Sequence, residues 1–451
     1  MKYPRYPAYK PSRTSWLREI PQDWEEHRLK WSVIACENGI WGEEPDGSED
    51  DIVCLRVADF DRTSFRVDTE RLTIRSVEAK QRASRQIQKG DLLIEKSGGG
   101  DKQLVGCVVH FDHEFAAVCS NFVARMPVAE GQSSRFWAYA HAALYAGRLN
   151  EPAIKQTTGI QNLDAGEYLN NLLPYPSLPE QEQIAAFLDW KTAQIDALIV
   201  KKQDLIEKLK EKRLAVITHA VTKGLDPDAP LRPSGIAWLG DVPSHWLTPA
   251  LKMRYSVELG KMLDEKRIKG QHLLPYLRNV DVQWDQINFD NLPEMDIMAD
   301  ELPRYTIQEN DVLVCEGGEV GRSAVVGQVQ DVVGYQKAVH RLRGDQLLEI
   351  PRFIYYTMLW AVNTGVFAVE GASTIAHLTA DQLRRYHFPQ PPMTEQRDIA
   401  DWLDIEVAKV ETLVKAAAAA IAHLTEYRTA LITAAVTGQI DVRHITIPDP
   451  A

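Results

Sequence analysis

LKEKRLAVITHAVTKGLD, residues 209–226, returns 215 residues later as LTEYRTALITAAVTGQID, residues 424–441. Both stretches read as the end of a helix: apolar positions recur at steps of three and four, and a glycine, Gly224 or Gly438, follows as a stop signal. Either one element or a whole unit has been copied. The residues upstream decide between the two.

They show a whole unit. Trp16-Leu17-Arg18-Glu19-Ile20-Pro21-Gln22-Asp23-Trp24 returns as Trp238-Leu239-Gly240-Asp241-Val242-Pro243-Ser244-His245-Trp246. Leu55-Arg56 with Asp59 returns as Leu277-Arg278 with Asp281, and Gln88–Ile94 as Gln308–Val314. Arg135-Phe136 with Tyr139 matches Arg352-Phe353 with Tyr356, and Thr158-Gly159-Ile160 matches Ser373-Thr374-Ile375. The offset drifts over the first part of each unit and then holds at 215 from Glu180/Glu395 to Asp226/Asp441. One part of the unit varies in length; the other does not. A segment that pairs lengthwise with its own copy has that constraint, because a slip of one residue misaligns every contact.

The gap-free segments therefore read as long helices, each of about 43 residues and roughly 64 Å long at 1.5 Å per residue. Pro179 and Pro392 mark their starts. In the first, Ile184, Leu188, Ile195, Leu198, Lys202, Leu205, Leu209 and Val216 form the expected heptad seam; in the second, Ile399, Leu403, Val407, Val410, Val414, Ala417, Ile421, Leu424 and Leu431 do. Because a globular unit intervenes between them, an antiparallel pair is the simpler arrangement. The globular parts show short β-type runs (52–57, 65–74, 91–95, 104–111, 117–126), then an aromatic-rich helix at Ser134–Leu149 with its counterpart at Pro351–Val362. Strands that do not alternate with helices point to an antiparallel or twisted sheet in a mixed α/β unit.

Chemistry is excluded more readily than it is found. The 451 residues carry a formal net charge of −12 and 45% hydrophobic residues, as in an ordinary globular protein. No stretch approaches the length of a membrane span, and a cytoplasmic protein is expected. Five cysteines, Cys36, Cys54, Cys107, Cys119 and Cys315, have no metal or redox spacing and read as reduced and mostly buried. There is no Walker loop, no aromatic clamp of an amino-methyltransferase, no glycine fingerprint for a nucleoside cofactor and no paired histidines for a metal. Neither a catalytic constellation nor a cofactor is expected.

Binding features are more informative. Arg71, Arg75, Lys80, Arg82, Arg85 and Lys89 crowd one segment with only Glu78 opposing them, as a phosphate-facing surface would require. A Gly-rich turn, Lys96–Gln103, adds Lys96, Lys102 and Gln103 at a loop tip. The second unit places its basic residues elsewhere, at Lys261, Lys266, Arg267, Lys269 and Arg278, with Arg322 in the matching turn and Lys337 beyond it. These thirteen positions (71, 75, 80, 82, 85, 96, 102, 103, 261, 266, 267, 322 and 337) are the candidate DNA contacts. The residues alone leave two other readings open: a coiled-coil adaptor without DNA specificity, and a standalone methyltransferase or nuclease.

The combination resembles the specificity subunits of Type I restriction-modification systems. The resemblance rests on the WL..IP..W opening of each half, on GDLLIEKSGGG (90–100), SNFVARM (120–126), TTGIQNL (157–163) and LPEQEQIAAFLD (178–189), and on the linker at 224–240. It implies an α+β chain of two target-recognition domains, residues 1–176 and 227–391, separated by two long antiparallel coiled-coil helices, 177–226 and 392–441, in a pseudo-twofold internal repeat. It further implies that each domain reads one half of a bipartite, asymmetric site in double-stranded DNA. The helices would dock two methyltransferase subunits, with restriction and translocase subunits joining that core, while base flipping and adenine methylation belong to the partners. Ile184, Leu188, Ile195, Leu198, Leu205, Leu209, Ile399, Leu403, Val410, Val414, Ile421 and Leu424 would then serve both the coiled coil and the docking of subunits.

Overall fold

The computed structural model describes residues 3–100, 103–157, 159–263, 270–367 and 377–448. Four helices organise it: α1 (Ser134–Ala146), α2 (Leu178–Lys223), α3 (Pro351–Asn363) and α4 (Met393–Val436). The two long ones start and stop where the sequence signals say. Pro179 lies in the first turn of α2, where no backbone N–H is needed, and Pro392 supplies the first carbonyl of α4 to Gln396 N–H. Gly224 and Gly438 follow with φ of +80° and +71°, the left-handed conformation that ends a helix.

Two compact units divide the chain, Met1–Gln203 with Ala419–Ala451, and Asp204–Ala418. Each unit thus holds the first half of one long helix and the second half of the other. In the first unit Ile184, Leu188 and Ile195 of α2 share a core with Leu431, Ile432 and Ala435 of α4. In the second, Ile217, Ala220 and Val221 of α2 share a core with Ile399, Ala400 and Leu403 of α4. Start packs on end in both, so the helices are antiparallel.

The first unit is built on a six-stranded sheet in the order 37–38, 123–126, 92–95, 108–110, 66–67, 60–61. All its pairings are antiparallel except that of 108–110 with 66–67, through His110 and Arg66. Beside it lies a three-stranded sheet, 117–119, 51–55, 73–76, whose first pair is parallel. The central strand reads LLIE without polar alternation because both its faces are covered. Leu92 and Ile94 enter the core beneath α1, and Leu93 enters a second cluster with Val109 and Phe111. Each such side chain contributes about 1.5–3 kcal/mol by leaving water. Three expected strands are shorter than anticipated, 104–111 containing only Val108–His110. Residues 65–74 contain Arg66–Val67 and the start of Thr73–Ser76, and 117–126 breaks into Ala117–Cys119 and Val123–Met126 around a turn.

The second unit repeats this plan. Its main sheet runs 255–259, 339–344, 312–315, 323–325, all antiparallel, and its smaller sheet, 294–296, 273–277, 334–335, again contains one parallel pair. Val312 and Val314 face the core under α3, while Leu313 and Cys315 face the other cluster. The links from the short helices α1 and α3 to the long helices are duplicated in the two units. Asp189 accepts from Arg135 Nε (2.7 Å) and Tyr139 Oη (2.8 Å); Asp404 accepts from Arg352 Nε (2.7 Å) and Tyr356 Oη (2.6 Å). Buried Gln181 donates to Pro176 O and accepts from Ser133 N–H, as buried Gln396 does with Pro391 O and Ile350 N–H. The recurrent Arg-Phe…Tyr and Glu-Gln pairs are these joints. All four cysteines other than the half-buried Cys36 are buried, and none of the five is disulfide-bonded.

The expected seam positions are buried or partly buried along α4 and unevenly buried along α2. Ile399, Leu403, Val410 and Ala417 are buried, with Val407, Val414, Ile421 and Leu424 partly so. In α2, Ile184, Leu188, Ile195 and Leu209 are buried, but Leu198 is 47% and Leu205 41% exposed. Ile199 and Ile206 stand in the seam instead, one position further on. They align by the offset of 215 with Val414 and Ile421. Leu198 and Leu205 fit a spacing of three and four from Ile195, but so do Ile199 and Ile206, and the repeat offset points to the latter pair. Among the described residues no helix is long and apolar enough to cross a membrane.

Candidate nucleic-acid interface

Three of the six basic residues between Arg71 and Lys89 are neutralised by acids distant in sequence. Arg75 is buried, holds Glu44 at 2.5 Å and donates to the Trp41 and Gly42 carbonyls. Arg82 lies 3.5 Å from Asp50 and donates to Glu49 O; Lys89 holds Glu114 at 2.6 Å. The stretch is therefore not an uncompensated basic face, as its composition alone suggests. Arg71 and Lys80 are exposed, and Arg85, half exposed, donates to Gln81 O at 3.2 Å.

Around the Gly-rich turn, Lys96 Nζ donates to Asn38 Oδ1 at 2.9 Å. The Gln103 amide oxygen accepts from Arg62 at 2.7 and 2.9 Å. Arg62 also holds Glu95, 2.7 Å away on the central strand; burial holds that carboxyl above its ordinary value against the pull of Arg62. In the second unit Lys261 is ion-paired with Glu301, and its carbonyl accepts from Lys337 N–H at 2.8 Å, so these two candidates are neighbours. Lys337 has an exposed side chain, whereas Arg322 is turned inward onto Asn279 O and Oδ1, both at 2.9 Å. Lys102, Lys266, Arg267 and Lys269 lie outside the described residues, as do Thr158 and Ser373-Thr374-Ile375.

The repeat marks a pair of arginines: Arg278, already among the basic residues of the second unit, and Arg56, which lies outside the basic cluster of the first. Asp59 Oδ2 accepts from the Arg56 backbone N–H (2.7 Å), and Asp59 Oδ1 accepts from Arg56 Nη2 (2.9 Å). In the second unit Asp281 receives the Arg278 backbone N–H, Nε and Nη2, each at 2.8 Å. Both aspartates are buried and both guanidinium groups are more than one-third exposed. An arginine braced in this way presents a preorganised outer edge to an acceptor. Arg56 borders an open cleft shared with Trp41, Glu95, Ser97 and Phe122. The signal for it was the Leu-Arg…Asp pair at one offset in both halves.

Comparison with known proteins agrees with this architecture. Residues 275–417 match the Type I restriction modification DNA specificity domain. The chain is 24% identical over 378 residues to the Type I restriction enzyme EcoKI specificity subunit of Escherichia coli K12, covering 79% of this chain and 76% of that one. It is 22% identical over 336 residues to the EcoBI specificity subunit of Escherichia coli, covering 72% and 69%. Its fold matches a chain in a structure described as the basis of complex assembly and conformational transition of the type I R-M system. That match has a TM-score of 0.71 and 16% identity, over 93% of this chain and 99% of that one. The domain match, the relatives and the duplicated fold all indicate a specificity subunit of a Type I restriction-modification system.

Proposed function

We propose that the chain reads a bipartite, asymmetric site in double-stranded DNA, one half with each unit, and directs adenine methylation and restriction by partner subunits. Residues 1–176 and 227–391 serve as the recognition domains, with 177–226 and 392–441 as the spacer helices. The duplicated unit supports this reading most directly. Its scaffold joints are the same in both copies, yet the surfaces around Arg56 and Arg278 differ, so that equivalent frames carry different readers. The unbroken helices have a fixed length, which would fix the half-site spacing near a turn of DNA. Their repeated surfaces would offer two equivalent docks to two methyltransferase subunits. Catalysis, including extrusion of the target adenine, belongs to those partners. The complex would act on DNA in the cytoplasm.

The test is co-expression of the full chain with its methyltransferase, followed by sequencing of modified adenines. A split motif with unlike halves is expected, together with no methyl transfer by the chain alone. Turnover by the isolated chain, or a single continuous motif, would refute the proposal.

A further inference from the structure

The cleft beside Arg56 has a volume of about 520 Å³ and a mostly apolar lining. Its walls are two exposed aromatic rings, Trp41 at 39% and Phe122 at 43%. Both are held in place. The Arg75 guanidinium stacks 4.6 Å from the Trp41 ring centroid while Glu44 and two carbonyls fix it, so this buried arginine positions the wall. Phe122 stands on the turn between two strands, its carbonyl pinned by the N–H groups of Lys96 (2.8 Å) and Ser97 (3.2 Å). At the floor Glu95 is neutralised by Arg62, and at the rim Arg56 is braced by Asp59.

The second unit carries different side chains on the equivalent backbone. Glu316 N–H donates to Ala338 O at 2.9 Å as Lys96 N–H does to Phe122 O, which equates Ala338 with Phe122 and Gly317 with Ser97. Asn279 stands where the first unit has Val57. Its Nδ2 donates to Gly317 O (2.9 Å) and Ala338 O (3.2 Å), where Val57 of the first unit has no donor to offer. The aromatic wall supplied by Phe122 in the first unit is replaced by Ala338 in the second.

An exposed apolar cleft of this kind calls for an apolar occupant. Among the groups that bases present in the major groove, only the thymine methyl is apolar. Arg56 and Lys96 beside the cleft give the charge that a DNA backbone meets. We propose that this cleft receives the 5-methyl edge of a thymine in duplex DNA, so that Trp41 and Phe122 are specificity-determining residues of the first half-site. The second unit has Ala338 in place of Phe122 and so lacks that aromatic wall, and no such contact is expected from it. This assignment rests on the DNA-reading function proposed above.

The experiment first selects the preferred duplex from a random library with the full chain in complex with its methyltransferase. Each thymine of that duplex is then replaced singly by deoxyuridine, which removes only the methyl group. At one position, in one half-site only, affinity should fall about fourfold, the transfer value of one buried methyl. The Phe122→Ala protein should bind thymine and uracil duplexes equally. Failure to select any motif would overturn the DNA-reading function itself. A selected motif indifferent to uracil at every position would overturn only the thymine pocket, and needs no variant to fold. Loss of affinity in Phe122→Ala while wild type treats thymine and uracil alike would also overturn it, since that pattern belongs to a ring inserted between base steps.

Discussion

Arg428 Nε donates to Asp196 Oδ1 at 2.9 Å and Nη2 reaches Oδ2 at 3.3 Å, tying α4 to α2 within the first unit. The same guanidinium donates to Thr63 O and lies 5.3 Å from the Phe65 ring centroid. The repeat places Arg213 and Glu411 at the equivalent positions, but there the pair is 3.6 Å apart and more exposed. Asp285 takes the place of Phe65, with the same positive φ, and accepts from Arg352 instead.

One joint should therefore matter more than its copy. Arg428→Ala leaves Asp196 without its partner and is expected to cost about 2–3 kcal/mol, less than a fully buried pair because Asp196 is partly exposed. Arg213→Ala should cost under about 1 kcal/mol. Urea denaturation of the two variants checks this, and equal losses would contradict the burial argument.

The corrected seam gives a sharper contrast between neighbouring positions. Ile195→Ala should destabilise the chain by about 2–4 kcal/mol, through lost burial and the cavity left behind. Leu198→Gln, three residues on, should change stability by no more than about 0.5 kcal/mol. If Leu198 serves a partner dock, its replacement will appear in co-purification with the methyltransferase and not in the unfolding curve.

Two buried histidines set an acid limit. Burial holds His141 at about 3 and His110 at about 4, both below the ordinary value near 6.5. Between those limits the unfolded chain binds protons that the folded chain refuses, so stability falls as pH drops below about 6.5. The slope should approach about 1.4 kcal/mol per pH unit for each histidine. Replacing His141 by Gln should remove its share of the slope, at the cost of the 2.7 Å hydrogen bond to Tyr168. Melting temperatures from pH 7 to pH 5 provide the measurement, and an unchanged slope in the variant would refute the assignment.

A fragment ending near Asp226 keeps one reader and α2 with its seam exposed. Because Ile195, Ile199, Ile206 and Leu209 occupy the positions of Val410, Val414, Ile421 and Leu424, a second copy of α2 can stand in for α4. A symmetric dimer is expected, and with the methyltransferase it should modify an inverted repeat of the first half-site. Sedimentation and sequencing of modified adenines test the two parts separately; a monomer, or a motif unrelated to that of the full chain, counts against the pairing.

Much of this architecture follows from the sequence alone. The doubled Trp…Ile-Pro…Trp, Leu-Arg…Asp and Glu-Gln signatures establish two copies of one unit, and Pro179, Gly224, Pro392 and Gly438 bound the long helices. Those signals are local: proline lacks a donor, glycine tolerates positive φ, and a gap-free segment of 43 or so residues must keep register. Tertiary structure decided what local signals leave degenerate. Leu198 and Ile199 are adjacent and both apolar, and packing leaves the first exposed while the second joins the core. Arg75 reads as a phosphate contact until Glu44 and Trp41, more than thirty residues earlier, enclose it. The cleft beside Arg56 brings Trp41, Val57 and Phe122 together from three separate stretches of chain, a grouping visible only in the folded unit. Periodicity and propensity report what a residue prefers; which groups meet across the fold depends on contacts that chain order does not encode locally.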